Sequence, residues 1–261
     1  MPDRAGLPFE DSADFEAAER GLIDAGDPVI RNDAGDVVWD NGSYSSFLTG
    51  DAPDTVHPSL WRQSTLVARQ GLFEVTGGIY QVRGYDLSNM SVIEGDTGII
   101  VIDPLISAET AAAALALYRK HRGDRPVVAV IHTHSHVDHF GGVKGVVSQD
   151  DVDARRVQII APEGFVEHAI SENVYAGTAM ARRAGYMYGA TLSRGPKGGA
   201  TSGPRPRPRR RTSSPTSART CCSAPSPSRL TGPKPGTSTW PFAGTSPTTA
   251  PPTAPPCTTA S

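Results

Sequence analysis

The residues best suited to chemistry lie in one short stretch, His134-Ser135-His136-Val137-Asp138-His139. It directly follows the apolar run at 127–131, and four of the chain's seven histidines fall between residues 132 and 139. Neutral imidazole and carboxylate are ligands that suit zinc and similar divalent ions. We therefore predict a metal-binding loop at the end of a buried strand, in preference to solvated histidines that cap the following helix.

The spacing divides these ligands into two pairs. His134 and His136 are two residues apart, so on an extended backbone their side chains point the same way and can bind one ion. Asp138 and His139 come where the loop turns, so they can face a second ion, and Asp138 is the candidate catalytic residue. Two ions about 3.5–4 Å apart would hold a bridging water, lower its pKa towards neutrality and so supply a hydroxide nucleophile for an ester or similar bond.

Some residues near the loop in sequence are expected to support it, and the isolated histidines are expected to be structural. Asp103 ends the apolar run at 99–102, so it is either a turn aspartate or a carboxylate that orients a ligand or the histidine loop. His132 is in phase with His134, and we expect it to pack at the strand end with its ring near the site. Gly141-Gly142 lets the backbone pass close to the metal or begin a helix. The isolated histidines are interpreted as structural residues: His57, His121 and His168.

Strands and helices are predicted to alternate around this loop, which favours an α/β layered architecture. Apolar runs predict five strands: 79–82, 91–94, 99–102, 127–131 and 157–160. Residues 95–98 are predicted to form a hairpin turn, and the strand at 99–102 is predicted to be buried on both faces. Amphipathic patterns predict helices at 14–23, 108–120 and 163–183, and residues 24–60 are expected to be surface loops. Ser107 can cap the second helix, whose apolar face consists of Ala111, Leu115 and Tyr118.

The composition changes abruptly near residue 195. Residues 1–194 hold all 27 acidic residues and 16 basic ones, a formal net charge of −11, whereas 195–261 holds nine basic residues and no acidic one. Fifteen of the 23 prolines and all three cysteines lie in the second part, whose large apolar residues are Leu230, Trp240 and Phe242. So little burial cannot offset an ordering entropy of about 1–2 kcal/mol per residue. We predict an N-terminal wrapping segment (1–60), a catalytic domain (61–194) and a disordered tail (195–261).

Signals for export, membranes and nucleic acid are weak. The first residues contain no apolar stretch of signal-peptide length, and no run reaches transmembrane length, so a soluble cytoplasmic protein is expected. The basic run at 205–211 could grip phosphates, but it has no interleaved aromatic residues and the −11 body would repel them. Nucleic-acid binding is therefore the least favoured alternative.

Several segments resemble a known family. Residues 133–142 resemble the metal loop of the metallo-β-lactamase superfamily, and residues 98–103 resemble its strand that ends in an aspartate. The flanking segments look like the linear alkyl sulfatase branch: 60–63, 71–75, 85–90, 171–177 and 182–189. This resemblance covers about residues 7–197, and the branch assignment depends on the flanking segments.

The resemblance implies an αββα sandwich and a two-zinc hydrolase that releases sulfate from alkyl sulfates such as dodecyl sulfate. His134 and His136 would bind one zinc ion, Asp138 and His139 would bind the other, and Asp103 would support the loop. Members of the family continue with further metal ligands, a dimerisation domain and a sterol-carrier-like domain. Some of them are exported.

The chain departs from this pattern after residue 195. His168 is the last histidine and 195–261 has no acidic residue, so each zinc ion would have two ligands where a catalytic zinc normally has three and a water. We therefore predict a truncated sandwich with very weak or no activity. Our hypothesis for the tail is a second reading frame of GC-rich DNA, which resequencing around codons 190–200 would test. The alternatives are another hydrolase of the superfamily, acting on lactams, thioesters or phosphoesters, and a non-catalytic metal-binding remnant.

Overall fold

The computed structural model describes residues 8–45, 47–54 and 56–187. The predictions for the tail at 195–261, including its basic run and its cysteines, lie outside the described residues. Within these ranges, no helix is both long enough and apolar enough to cross a membrane.

The described residues form short strands and helices in alternation. The strands are β1 (Leu22–Asp24), β2 (Val29–Arg31), β3 (Val37–Asp40), β4 (Gly71–Thr76), β5 (Ile79–Arg83), β6 (Met90–Glu94), β7 (Ile99–Ile102), β8 (Val127–Ile131) and β9 (Gln158–Ile160). The α-helices are α1 (Ala13–Glu19), α2 (Gly42–Ser45), α3 (Pro58–Val67), α4 (Ala108–Arg122), α5 (Gln149–Asp153), α6 (Phe165–Ile170) and α7 (Gly177–Met187). Two 3₁₀ turns, Val137–His139 and Val143–Gly145, and a π-helical turn, Ser171–Tyr175, complete the set.

One mixed sheet positions the histidine loop. Its strand order is β1-β4-β5-β6-β7-β8-β9, and β2 and β3 form a separate antiparallel pair. Strands β4 to β7 run antiparallel to one another, whereas β7, β8 and β9 are parallel. Helix α4 connects β7 to β8, so the carboxyl ends of these strands meet at one edge of the sheet. Asp103 and the histidine loop therefore emerge side by side.

The predicted strands from residue 79 onwards are confirmed to within one residue at each end. The predicted hairpin turn is confirmed, because the Gly95 amide donates to the Gly98 carbonyl oxygen at 2.8 Å. The predicted cap of α4 is also confirmed, since Ser107 Oγ accepts a hydrogen bond of 3.2 Å from the Thr110 amide. The apolar face of α4 is buried as expected, and the Tyr118 ring meets the Tyr80 ring of β5 edge-on at 5.7 Å.

The prediction of a helix over 14–23 was wrong at its carboxyl end. Helix α1 ends at Glu19, and Leu22–Asp24 pairs with β4 as the edge strand β1. Gly21 allows this change of direction because it adopts φ +75°. Its carbonyl oxygen accepts a 2.7 Å hydrogen bond from the Glu74 amide, which ties the turn to the sheet.

Two other predicted segments differ from the structure: one contains strands and helices where loops were predicted, and the other is divided where one long helix was predicted. Residues 24–60 are not only loops, because they include the β2–β3 pair, α2 and the start of α3. The long helix predicted over 163–183 is divided into α6, the π-helical turn and α7. Gly177 begins α7.

Candidate metal centre

Asp103 joins the two loops that leave the sheet edge. It follows β7 in a left-handed conformation, φ 52°, which is uncommon for a residue with a side chain. Its buried carboxylate accepts hydrogen bonds from the Thr133 amide at 2.8 Å and from the Thr133 hydroxyl at 2.6 Å. His139 Nδ1 lies 2.9 Å from the same oxygen as the hydroxyl, Oδ2. The aspartate therefore contacts both ends of the histidine loop.

These contacts determine which ring nitrogen of His134 and of His139 carries hydrogen and which one can bind a metal ion. The Thr133 hydroxyl gives its hydrogen to Asp103, so Thr133 Oγ1 accepts from His134 Nδ1, 2.9 Å away. His139 Nδ1 likewise donates to the Asp103 carboxylate. With hydrogen on Nδ1, each neutral ring presents a lone pair on Nε2, which is the form that binds a metal ion.

The structure brings together the members of both predicted ligand pairs. His134 Nε2 lies 3.1 Å from His136 Nδ1, and His139 Nε2 lies 3.4 Å from the Asp138 carboxylate. Two ligands on one tetrahedral zinc ion, with bonds of about 2.0–2.1 Å, are separated by about 3.3–3.4 Å. The rings of His134 and His139 are 4.1 Å apart between centroids, so the two pairs adjoin.

Asp103 could reach a metal ion itself, in addition to the expected role of orienting a ligand. One ligand atom each from Asp103, His134 and His139 lies within 4.8 Å of the others, so the aspartate is within reach of an ion as well as of the histidines. Two nitrogens and one carboxylate oxygen form a donor set that zinc accepts. The residues at this edge of the sheet therefore fit a divalent metal ion.

His132 lies behind the loop and is packed against aromatic rings. It is fully buried, stacks on Phe165 at a centroid distance of 5.5 Å and meets Phe140 edge-on at 6.1 Å. Burial lowers the pKa of His132, and the backbone of His139 and the charge of Asp103 offset only part of that shift. The ring is therefore uncharged, and it packs at the end of the strand as expected.

Comparison with known proteins places this arrangement in a family. The family model of the metallo-beta-lactamase superfamily matches residues 83–230, more than half of the chain. The chain belongs to the metallo-beta-lactamase superfamily. The match contains Asp103 and the whole histidine loop, and it continues past residue 195 into the Pro- and Arg-rich segment.

Several members of the superfamily that are similar to this chain are sulfatases. The chain is 59% identical over 195 residues to a linear primary-alkylsulfatase of Pseudomonas sp., which covers 74% of this chain and 29% of that protein. An alkyl/aryl-sulfatase of Saccharomyces cerevisiae is 52% identical, with 74% and 30% covered. A solved stereoselective inverting sec-alkylsulfatase from Pseudomonas sp. matches with a TM-score of 0.67 at 53% identity, over 74% of this chain and 31% of that one.

These matches confirm the predicted fold and the predicted relationship to alkylsulfatases. The matches cover about 30% of the length of the relatives. The activity of the complete relatives is therefore only proposed for this chain.

Some residues near the histidine loop were not predicted from the sequence. Glu172, on the π-helical turn, accepts a 3.3 Å hydrogen bond from Ser135 Oγ and lies 3.8 Å from His136 Nε2. No role was predicted for Thr133, yet it connects Asp103 to His134. No spacing rule relates a glutamate to a loop 36 residues earlier, so Glu172 could be found only in three dimensions.

The isolated histidines at 57 and 121 have structural contacts, as expected. His57 Nδ1 accepts a 3.2 Å hydrogen bond from the Ser59 amide and caps α3. His121 lies in the last turn of α4, and its Nε2 is 2.7 Å from the Asp24 carboxylate. His168 lies on α6, and its amide bonds to the Gly164 carbonyl oxygen.

Gly142 allows the histidine loop to pack directly on the chain that follows β7. Its amide donates to the Leu105 carbonyl oxygen at 2.8 Å, and an added Cβ would lie 2.1 Å from the Pro104 oxygen and 2.6 Å from the Ser107 oxygen. The close approach that was expected at Gly142 is therefore an approach to backbone atoms.

We expect Gly142→Ala to lower the free energy of unfolding by about 3 kcal/mol, because backbone atoms must move to admit the methyl group. Urea denaturation of the metal-free protein measures the loss. Gly77→Ala is the matched control, since nothing lies within 4 Å of its Cβ. Equal unfolding midpoints for the two variants would show that the contact at Gly142 imposes no constraint.

Proposed function

We propose that this chain carries part of the active site of a zinc-dependent hydrolase that acts on linear alkyl sulfate esters. The supporting observation is the pair of ligand sets, with His134 Nε2 3.1 Å from His136 Nδ1 and His139 Nε2 3.4 Å from Asp138. His134 and His136 would hold one zinc ion, and Asp138 and His139 would hold the second. Zinc, when bound, supplies a water of lowered pKa.

The substrate class is supported by the relatives and by the surroundings of the loop. The matched relatives are named for primary-alkyl and alkyl/aryl sulfates. Exposed apolar side chains lie on the histidine loop and on segments that contact it: Val137 on the loop, and Leu87, Val174 and Tyr175 beside it. Such side chains suit an alkyl chain better than a polar substrate.

In this proposal the chain's own residues prepare the ligands. Asp103 keeps hydrogen on Nδ1 of His139, and through Thr133 it does the same for His134. Both rings then have Nε2 free to bind a metal ion. Asp138 would be a ligand of the second ion and is the candidate catalytic residue.

A chimera tests the reaction class. The matching 195 residues of the Pseudomonas linear primary-alkylsulfatase are replaced by this chain's own, and sulfate release from dodecyl sulfate is measured. We expect the chimera to release sulfate and its His134→Ala variant to release none. A chimera that folds and binds zinc but hydrolyses a phosphoester, and releases no sulfate, would favour another hydrolase of the superfamily.

For the chain by itself we propose very weak or no turnover. Each proposed ion has two ligands, and a catalytic zinc normally has three protein ligands with a water. This ligand count also favours a second candidate, a non-catalytic metal-binding module. Measured zinc binding without turnover in the chimera would support that module, whereas sulfate release by the chain alone, lost in His134→Ala, would contradict the proposed weakness.

A further inference from the structure

A buried turn between β5 and β6 contacts both loops of the site. We call residues Asp86–Ser88 the bridging turn. Asp86 and Ser88 are 5% and 7% exposed, whereas Leu87 between them is 65% exposed. The two polar side chains therefore point inwards, where each needs a partner.

Asp86 binds the chain that follows Asp103. Its Oδ2 accepts hydrogen bonds from the Ile106 amide at 3.0 Å and from the Thr110 hydroxyl at 2.8 Å. Burial raises the pKa of Asp86, and these bonds offset part of that rise. The carboxylate thus attaches the start of α4, and with it the turn that carries Asp103, to the bridging turn.

Ser88 binds the histidine loop. Its hydroxyl donates a short hydrogen bond to the carbonyl oxygen of Asp138. That carbonyl belongs to the peptide between Asp138 and His139, whose side chains form the second ligand pair. Rotation of this peptide would move both side chains, so the bond from Ser88 restrains the pair through the backbone.

We infer that the bridging turn is a positioning element which fixes the Asp103 turn and the Asp138–His139 pair relative to each other. Ser88 is a positioning residue that acts through the Asp138 backbone. Its effect on metal binding rests on the proposed function. Its effect on the order of the loop does not, and the two are measured separately.

Hydrogen exchange of the metal-free protein measures the order of the loop. In Ser88→Ala we expect the amides of His139, Gly141 and Gly142 to exchange roughly five- to tenfold faster, the factor that corresponds to one lost hydrogen bond. Ser91→Ala is the matched control, because it removes a serine hydroxyl of β6 that accepts one side-chain hydrogen bond, from Gln81 on β5. Ser88→Thr keeps the hydroxyl and should restore slow exchange. Unchanged exchange in Ser88→Ala, or equal acceleration in Ser91→Ala, would overturn the inference.

Cobalt(II) binding measures the consequence for the site. We expect Ser88→Ala to lower cobalt affinity about tenfold and to change the visible d–d spectrum, since residues that orient ligands typically contribute 10- to 100-fold. Ser91→Ala and Ser88→Thr should bind as the unmodified chain does. If the unmodified chain binds no cobalt, the proposed metal centre fails, and the exchange result still decides the role of Ser88. If it binds and all variants match it, the positioning role fails instead.

Discussion

Replacing His134 with alanine should lower zinc affinity on the order of a hundredfold or more, because one nitrogen ligand of a small set is removed outright. His134 is the residue at which the two ligand pairs adjoin. Its Nε2 lies 3.1 Å from His136, and its ring is 4.1 Å from that of His139. Its Nδ1 also meets the Thr133 hydroxyl, so the substitution interrupts the connection to Asp103 as well.

Competition with a chromophoric chelator measures this affinity in the intact chain. His121→Ala is the matched control, because it removes a histidine that pairs with Asp24 and has no part in the cluster. His134 is only partly buried, so the metal-free variant should unfold at nearly the same denaturant concentration. Equal zinc affinity in His134→Ala and His121→Ala would exclude the proposed centre.

The ligand loop and the strands beneath it were predictable because their signals are local. Alternation places His134 and His136 on one side of an extended chain. The apolar runs at 99–102 and 127–131 have the length and composition of buried strands, and the structure forms strands over the same residues. A short stretch of chain is sufficient to specify such features.

The individual contacts around the loop were not predictable, although a supporting role for Asp103 was one of two expectations, because these contacts depend on distant pairing. Asp103 reaches Thr133 and His139 only because β7 and β8 are parallel neighbours and Asp103 turns back at φ 52°. The bridging turn meets Asp138 across 50 residues of sequence. Neither contact leaves a periodic trace in the sequence.

The error at the end of α1 has the same origin. Leu22 and Ile23 continue an amphipathic helical pattern, but pairing with β4 outweighs that weak local preference. Gly21 was the available signal, since a glycine after a helix often marks its end. Propensity is a weak guide wherever a strand edge offers hydrogen bonds to the same residues.

The role of Asp103 is separated from its backbone conformation by the variant Asp103→Asn. Asparagine tolerates positive φ nearly as well as aspartate, so the substitution leaves the turn unstrained. The amide has one acceptor oxygen in place of two, whereas Asp103 accepts from the Thr133 amide, the Thr133 hydroxyl and His139 Nδ1. At least one buried donor then loses its acceptor, which costs about 1–3 kcal/mol of folding free energy.

We expect Asp103→Asn to lower both the stability of the metal-free chain, by that amount, and the zinc affinity, by about 10- to 100-fold, because His139 and His134 lose the group that holds hydrogen on Nδ1. Urea denaturation and chelator competition measure the two effects on the same preparations. Asp96→Asn, in the exposed hairpin turn between β6 and β7, controls for the lost charge. A direct ligand would lower zinc affinity further than an orienting residue, so a loss well beyond a hundredfold would place Asp103 on the metal itself. Stability and affinity both equal to those of Asp96→Asn would contradict either role.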